Sequence, residues 1–364
     1  MTDTDGPVGA FGVYCHVPFC THRCDYCAFA TWTDREHLVE AYMASCQRQA
    51  RDLATELPPV TSVFFGGGTP NLAPPRTIGA VLDELPLAPG AEITVECNPD
   101  LVTPTQMTAF RDMGVNRVSL GVQSMSPRVL DALGRRHDPA MVKAAAESAR
   151  EAGIGLINMD LIFGAVSETL DDWEHTLCET VAMGPDHLSV YGLTVEPGTP
   201  LAADEHRHPD DDDMADKYLL ADNTLARAGY ENYEISNWAL PGARCVHNQL
   251  YWRQGDYAGL GCAAHSHREG RRFWSVHTPE RFVEAIESGS SPEAGSERLD
   301  VAQRRAESLQ LAVRTAEGVP ASEVPNDVMH LMAPAAAGRL RLTTQGRLLA
   351  NEVAIRLGAS GTED

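Results

Sequence analysis

The sequence predicts an α/β protein: a partial (β/α)6 barrel of the TIM type, followed by a small winged-helix-like α+β domain at the C-terminus. In the first two-thirds of the 364 residues, short apolar runs alternate with amphipathic stretches. Strands that alternate with helices form parallel βα units, and six such units favour a barrel. A polar stretch at residues 288–296 then precedes a tail in which helices flank a short strand pair.

The six predicted strands are the apolar runs at residues 12–17, 60–65, 92–96, 117–121, 155–163 and 187–193. Amphipathic helices are expected between them, at residues 37–53, 104–113, 141–151 and 169–182. In barrels of this type the functional groups collect at the C-terminal ends of the strands. The segments directly after those ends are therefore the first places to search for a site.

The rest of the chain divides by composition. The run 204–213 is acidic, and we expect a solvated loop there before a helix at 216–228; metal binding by His206 and His208 is the less favoured alternative. We expect three domains: the barrel at 1–240, an extension of the core rich in aromatic residues and histidine at 241–294, and the small domain at 295–364. Within the last, helices are expected at 301–313 and 345–357, with a strand at 340–344.

Charge and cysteine content narrow the class of protein. The chain has 51 acidic and 29 basic side chains, a formal charge of −22. Such acidity argues against nucleic-acid binding, which depends on Lys and Arg, although residues 134–137 (GRRH) could form a local basic pocket. No apolar run is long enough to span a membrane, and the acidic N-terminus does not resemble a secretory signal. Nine cysteines, three of them within eight residues, indicate metal or redox chemistry, and we expect a cytoplasmic protein.

Cys20, Cys24 and Cys27 give the strongest chemical signal. Gaps of three and two residues let one loop surround a single polynuclear centre, and a closed [4Fe–4S] site takes four thiolates. Three ligands would leave one iron open to a small molecule. A structural zinc site is the alternative, but it also needs four ligands and usually pairs two distant CxxC units. The sequence has no second unit, so the spacing favours an iron–sulfur cluster.

Glycines and polar residues follow the later predicted strands. The glycine run 66–68 lets bare backbone approach a ligand, although a tight turn is the usual explanation of such a run. Glu96 can accept a hydrogen bond from an ammonium group, and Arg135 can bind both oxygens of a carboxylate. Gln123 and Asp160 also lie near strand ends, and Asp160 suits hydroxyl or ammonium groups. For each of these residues, a salt bridge at the barrel rim is the alternative.

Seven motifs follow one another along the chain: residues 14–20 (YCHVPFC), 66–70 (GGGTP), 96–99 (ECNP), 117–124 (RVSLGVQS), 133–137 (LGRRH), 158–164 (NMDLIFG) and 233–237 (YEISN). In this order they resemble the motifs of the oxygen-independent coproporphyrinogen III oxidase family of radical S-adenosylmethionine enzymes. Each motif alone is weak support, whereas their order is specific. The chain departs from the family after Gly164, where Pro and Gln are usual and residues 165–168 read AVSE. The resemblance therefore says little about contacts beyond Asp160.

The resemblance implies a radical S-adenosylmethionine barrel with a [4Fe–4S] cluster on Cys20, Cys24 and Cys27. It implies that S-adenosylmethionine completes the open iron through its amino and carboxylate groups. Tyr14 matches a position near this cofactor, and Tyr26 matches one that packs on its adenine. The other implied cofactor contacts are Gly67, Gly68, Thr69, Glu96, Gln123, Arg135 and Asp160. In such enzymes the difficult chemistry belongs to the cofactor, and the protein holds the reactants and excludes water and oxygen.

Two departures resemble a shorter branch of this family, the haem chaperones, which bind haem and pass it to apo-acceptors in respiration. The decarboxylating members carry a further cysteine two residues after the third ligand, where this chain has Phe29. The chain also starts close to its first predicted strand, without the long N-terminal extension that helps the oxidases to enclose their porphyrinogen.

Residues 247–252 (HNQLYW) match the HNxxYW motif associated with haem binding in that branch. The imidazole of His247 can ligate haem iron, and Tyr251 and Trp252 offer flat apolar faces to a macrocycle. The alternative is that His247 caps a turn while the two aromatic residues pack in the flank of the barrel. The rival axial ligands nearby are Cys245, Cys262, His265 and His267.

The sequence leaves three functional hypotheses. The first is a haem chaperone that carries the cluster and S-adenosylmethionine, with haem as cargo, no decarboxylase activity, and apo-haem acceptor proteins, membrane-associated ones included, as partners. The second is an oxygen-independent coproporphyrinogen III oxidase, which decarboxylates two propionates of its substrate. The third is a radical enzyme that modifies RNA, against which the charge of −22 and the lack of a dense basic tract weigh. No amphipathic basic helix predicts docking to a membrane surface.

Overall fold

A computed structural model describes residues 10–359, and its centre is one twelve-stranded sheet. Six parallel strands form the middle of the sheet in chain order, flanked by helices, as the predicted partial barrel requires. The strands are β1 (Phe11–Val17), β2 (Val60–Gly67), β3 (Leu87–Cys97), β4 (Arg117–Gln123), β5 (Leu156–Phe163) and β6 (His187–Gly192). The helices are α1 (Val39–Ala54), α2 (Pro75–Leu82), α3 (Pro104–Asp112), α4 (Pro127–Ala132), α5 (Pro139–Ala152) and α6 (Leu170–Ala182).

Shorter strands extend the sheet on both sides. Beyond β6 lie two antiparallel strands, and beyond β1 lie one parallel and three antiparallel strands. These strands are β7 (Glu231–Glu234), β8 (Asn237–Ala239), β9 (Asp256–Leu260), β10 (His265–Arg268), β11 (Arg271–Ser275) and β12 (Glu293–Arg298). The helices of this part are α7 (Asp211–Arg227), α8 (Val246–Trp252) and α9 (Pro279–Glu287). Because β9 pairs in parallel with β1, the segment after residue 240 completes the sheet next to the cysteine loop.

Local sequence explains these boundaries. The middle strands are buried on both faces, which is why they read as apolar runs rather than as alternating patterns. Thr103, Asp138 and Thr169 cap α3, α5 and α6, since each side chain accepts a hydrogen bond from a backbone N–H of the first turn. At the end of α5, Gly153 adopts φ +84°, a left-handed conformation that glycine tolerates.

The C-terminal part forms a small α+β unit with a separate core. Its elements are α10 (Val301–Ala312), β13 (Val319–Pro320), β14 (Met332–Pro334), β15 (Arg339–Leu342), α11 (Thr344–Leu348) and α12 (Ala350–Ala359). The three strands form an antiparallel sheet in the order β13-β15-β14. The core residues are Val313, Val319, Val324, Val328, Leu331, Leu342, Ala350, Val353, Ala354 and Leu357. The backbone bonds Ile235 N–Arg314 O (3.1 Å) and Ala316 N–Tyr233 O (2.9 Å) join this unit to the barrel.

The predicted fold class is confirmed, with differences in detail. The helix expected at 345–357 is two helices that meet at Leu349, and the stretch expected to be soft at 288–296 contributes to the edge strand β12. The barrel also contains α2, which the sequence analysis did not identify. Short 3-10 helices occupy Glu36–Leu38, Pro70–Leu72, Pro99–Leu101, Glu205–Arg207, Ala321–Glu323, Asn326–Leu331 and Ala336–Gly338. Across residues 10–359, no helix combines the length and apolar character that a membrane span needs.

Candidate cofactor site

A cavity of about 540 Å³ opens at the C-terminal ends of the parallel strands. It brings together all three cysteines of the predicted cluster and eight of the nine predicted cofactor contacts; only Tyr14 lies elsewhere. The predicted residues that line it are Cys20, Cys24, Tyr26, Cys27, Gly67, Gly68, Thr69, Glu96, Gln123, Arg135 and Asp160. Residues more than 100 positions apart in the chain therefore share one wall, because parallel strands end at the same edge of the sheet.

The cysteine loop is fixed to the end of β2. Gly68 N donates to Val17 O (2.9 Å), and Thr69 N donates to Phe19 O (2.8 Å). A Cβ at position 68 would lie 2.7 Å from the backbone oxygen of Phe19, closer than side chains pack. At Gly67, with φ +112°, a Cβ would lie 2.4 Å from the His16 ring. The glycine run is therefore required first for docking of the cysteine loop, and only then for access of a ligand to the backbone.

Hydrogen-bond donors surround the thiols. Thr69 Oγ1 donates to Cys20 Sγ (3.5 Å), and Arg135 Nη1 donates to Cys24 Sγ (3.5 Å). Burial raises the pKa of the Cys20 and Cys27 thiols, so metal coordination rather than free ionisation would be needed to deprotonate them. Donors of this kind stabilise thiolate sulfur and tune the metal centre that it holds.

The three thiols share one cavity and form no disulfide. Cys20, Cys24 and Cys27 all line the outer cavity, and each is a free cysteine. Within residues 10–359, no group of three His, Cys, Asp or Glu side chains is arranged to hold a single metal ion. Three thiolates at one cavity are enough for a cluster of several irons with one iron left open.

Three residues that line the cavity have a buried polar atom without a partner in the described part of the chain: Thr31 Oγ1, Gln123 Oε1 and Arg135 Nε. The other nitrogens of Arg135 are held by Cys24, by Asn98 Oδ1 (2.9 Å) and by Gly121 O (3.0 Å). The arginine is thus oriented in advance, with one donor left for a ligand. Because buried polar groups are normally hydrogen-bonded, these three atoms indicate that a polar ligand completes the site.

Two partly buried carboxyl groups occupy the same wall. Glu96 accepts from Gly67 N (3.1 Å), and Asp160 accepts from Ser119 Oγ (2.7 Å) and Asn158 Nδ2 (2.8 Å). Burial, with a smaller contribution from Asp160, raises the pKa of Glu96 to about 8. Burial also raises the pKa of Asp160. A ligand that carries both an ammonium and a carboxylate, as S-adenosylmethionine does, would find an acid for the first and Arg135 for the second.

Tyr14 lies in a second, deeper cavity of about 140 Å³ inside the barrel. The two cavities share Glu96, Ser119, Asp160 and Tyr191 as lining residues. Tyr14 reaches the cysteine loop only indirectly, because its hydroxyl is 3.0 Å from His16 Nδ1 and His16 Nε2 is 2.9 Å from Ala30 O. Its direct contact with a cofactor therefore stays a prediction.

The HNxxYW segment is helix α8, and it lines the inner cavity rather than the outer one. His247 is 1% exposed, with Nδ1 2.9 Å from Ser62 Oγ and Nε2 2.9 Å from the Tyr251 hydroxyl. Burial lowers the pKa of His247 to about 3, so the ring is neutral. Glu92 anchors the start of the helix by accepting from His247 N (3.0 Å). In this arrangement both ring nitrogens are occupied, and Trp252 does not line either cavity.

The four rival haem ligands differ in their surroundings. Cys245 donates to Glu92 (3.4 Å), Cys262 accepts from the Tyr42 hydroxyl (3.6 Å), and His267 Nδ1 is 3.0 Å from Gly255 O. His265 is exposed and packs beside Trp274, with ring centroids 5.8 Å apart. These four residues therefore do not converge on α8 as one set of haem ligands.

The sequence analysis did not identify three residues that shape the outer cavity. Asn98 links Thr69 to Arg135, Ser119 donates a hydrogen bond to Asp160, and Tyr191 lines both cavities. The sequence could have indicated these three residues as site residues, because each lies inside a predicted strand or directly after one. The loop that departs from the family pattern is also explained: Glu168 accepts from Gly164 N (2.7 Å) and pairs with the fully buried Lys217 (3.2 Å).

Comparisons with known proteins identify relatives of this chain. Residues 14–177 match the radical SAM superfamily. The protein named "Heme chaperone HemW" in Mycobacterium tuberculosis (strain ATCC 25618 / H37Rv) is 38% identical over 95% of this chain and 94% of its own length. The protein of the same name in Escherichia coli (strain K12) is 35% identical over 83% of this chain and 84% of its own.

Among solved structures, coproporphyrinogen III oxidase (HemN) from Escherichia coli, described as a radical SAM enzyme, superposes with a TM-score of 0.84 at 20% identity. It covers 96% of this chain and 90% of that one, a likeness that shows the shared fold alone. The chain belongs to the radical SAM superfamily and, within it, to the family of the proteins named heme chaperone HemW.

Proposed function

We propose that this protein binds haem and passes it to apo-acceptor proteins, while it holds a [4Fe–4S] cluster and S-adenosylmethionine in the outer cavity. The observation that carries the proposal is the similarity, over nearly the whole chain, to proteins named as haem chaperones. Phe29 supports it, because the position two residues after Cys27 holds no thiol. The fold alone would not decide between a chaperone and an oxidase.

In the outer cavity, we assign the cluster to Cys20, Cys24 and Cys27, and the cofactor to Glu96, Gln123 and Arg135. When bound, the cluster would supply one electron at low potential to the sulfonium of S-adenosylmethionine. The residues themselves orient the cofactor, since Arg135 is held by three protein acceptors before any ligand arrives. Such preorganisation reduces the ordering that binding requires.

Haem contact by His247, Tyr251 and Trp252 is part of the proposal, and it requires a movement of α8. The inner cavity measures about 140 Å³, whereas sites for ligands of this size commonly occupy roughly 300–1,000 Å³. Ligation by His247 would also have to break its contacts with Ser62 and Tyr251. The motif can therefore reach haem only after α8 moves away from β2.

We further propose that the acceptors are haem proteins of respiration, membrane-associated ones included, and that transfer takes place in the cytoplasm. All nine cysteines are free, as expected in a reducing compartment. The net charge of −22 argues against nucleic acid as the partner. An acceptor is expected to dock through a surface complementary to an acidic partner.

The test is a haem titration of the cluster-reconstituted protein without oxygen, followed through the Soret band. We expect saturation near one haem per chain and transfer to an added apo-haem protein such as apomyoglobin. His247→Ala should weaken haem binding, whereas His208→Ala, in the exposed acidic loop, should not. Absence of saturable binding, together with deoxyadenosine formed as coproporphyrinogen is consumed, would replace the chaperone with the oxidase.

A further inference from the structure

The rim of the outer cavity carries an exposed aromatic side chain on the cysteine loop itself. Phe29 is 68% exposed and lines the cavity two residues after Cys27. Leu193 and Ile162 continue the apolar lining, and Tyr191, 43% exposed, stands beside them. An aromatic ring that is exposed at the mouth of a cavity offers a flat apolar face to a ligand.

The same rim carries a cation without an acidic partner. Arg23 is exposed, and its Nε and Nη2 donate to the backbone oxygen of Cys27 at 3.3 and 3.2 Å. Within residues 10–359 no carboxylate lies within 4.0 Å of its guanidinium, whereas Arg35, Arg51 and Arg76 each pair with an acid. In a chain with 51 acidic residues, a cation left unpaired at a cavity mouth is available for an anionic ligand.

Arg135 is a second cation in this cavity, and its guanidinium is hydrogen-bonded to Cys24, Asn98 and Gly121. Glu196 is an exposed acid among the lining residues. Arg23 therefore supplies the exposed positive charge of the rim, next to the apolar face of Phe29.

A haem matches both features. Its macrocycle is flat and apolar, and its two propionates are carboxylates that arginine binds well. The thiols and polar side chains of the cavity are assigned to the cluster and to S-adenosylmethionine. The rim is therefore the part of the cavity that is left for a planar ligand. Haem can reach this rim while α8 stays closed, because Phe29 and Arg23 lie at the surface and His247 does not.

We infer that haem docks at the rim of the outer cavity, with one face on Phe29 and a propionate toward Arg23. The inference rests on the proposed function, because it assigns a docking site to the cargo. It separates two roles: the rim captures haem from solution, and α8 takes part only after it has moved. The arginine pair is solvent-exposed, so its contribution weakens as salt rises.

The experiment measures haem affinity of Phe29→Ser by the Soret band, with iron content and S-adenosylmethionine binding recorded on the same samples. We expect the Kd for haem to rise about tenfold, since a Phe face is removed from the contact. Phe29→Tyr should retain affinity. Ile355→Ser is the matched control, because Ile355 is 64% exposed on α12 in the C-terminal unit.

A second variant tests the carboxylate contact without altering the apolar face. Arg23→Gln should weaken haem about three- to fivefold at low salt, and should leave the affinity for haem dimethyl ester unchanged. Arg48→Gln, an exposed arginine on α1, is the control. If Phe29→Ser loses iron, the comparison of haem with its ester in Arg23→Gln decides the question alone.

The outcomes separate the two proposals. If the unaltered protein does not bind haem, the proposed function fails and the docking site fails with it. If it binds haem, but Phe29→Ser and Arg23→Gln bind as tightly as the unaltered protein with their clusters intact, the docking site is wrong and the function stands.

Discussion

Glu96 makes the stability of this protein depend on pH in a predictable direction. Burial raises its pKa from the ordinary 4.5 to about 8. A carboxyl group with a raised pKa binds its proton more tightly in the folded chain than in the unfolded one. Between pH 4.5 and 8 the folded state therefore holds more protons, and the free energy of unfolding falls as pH rises.

The size of the effect follows from the two pKa values at 1.36 kcal/mol per unit. The contribution of Glu96 lowers the free energy of unfolding by about 2 kcal/mol at pH 6 and by roughly 4–5 kcal/mol at pH 8.5. The difference, roughly 2–3 kcal/mol, should disappear in Glu96→Gln, whose amide does not ionise and can still accept from Gly67 N. Glu84→Gln is the matched control, because Glu84 is a partly exposed carboxylate paired with Arg51 outside the site.

The assay is urea unfolding of the cluster-reconstituted, cofactor-free protein at pH 6 and pH 8.5. Between these two pH values, the unaltered protein and Glu84→Gln should lose roughly 2–3 kcal/mol more stability than Glu96→Gln. If all three proteins lose stability in parallel, Glu96 ionises normally and the inferred burial of its carboxyl group is wrong. Added S-adenosylmethionine should oppose the loss, because its ammonium favours the ionised acid.

Three further predictions concern the loops around the site. Lys217→Met should lower the free energy of unfolding by roughly 3–5 kcal/mol in urea titrations, because it leaves Glu168 buried and unpaired. The double variant Lys217→Met/Glu168→Gln should recover most of that loss. If the losses of the two single variants add instead, the two side chains do not act as a pair. Gly68→Ala should reduce iron per chain after reconstitution, because its Cβ would lie 2.7 Å from a backbone oxygen of the cysteine loop; normal iron content would show that the loop adjusts. Thr69→Val removes the donor to Cys20 Sγ, so redox titration should find a more negative cluster potential, and an unchanged potential would show that the bond is absent in the loaded site.

The loop after β5 shows how this chain replaces a family pattern with local chemistry. Residues 165–168 read AVSE where Pro and Gln are usual. Glu168 accepts from Gly164 N, and Lys217 from α7 donates to Glu168 O (2.8 Å). A buried ion pair of this kind is costly to break although it adds little net stability. It therefore fixes the shape of a loop next to Leu193 and the outer cavity.

Sequence periodicity was sufficient for the central sheet and failed at its margins. The six parallel strands match the apolar runs because strands buried on both faces must be apolar throughout. β12 was missed because its residues are nearly all exposed, so burial left no pattern to detect. The break at Leu349 was missed because a helix-forming composition continues across it.

The sequence by itself determined the cysteine spacing, the order of the motifs and the set of strands, since each depends on residues that are close in the chain. The tertiary structure decided which polar residues share a cavity. It placed Glu96, Gln123, Arg135 and Asp160 in the same cavity as the three cysteines, and it placed Tyr14 in the second cavity, which Glu96 also lines. It also enclosed His247 between Ser62 and Tyr251. Burial and long-range hydrogen bonds depend on how strands and helices pack, and spacing along one chain does not contain that information.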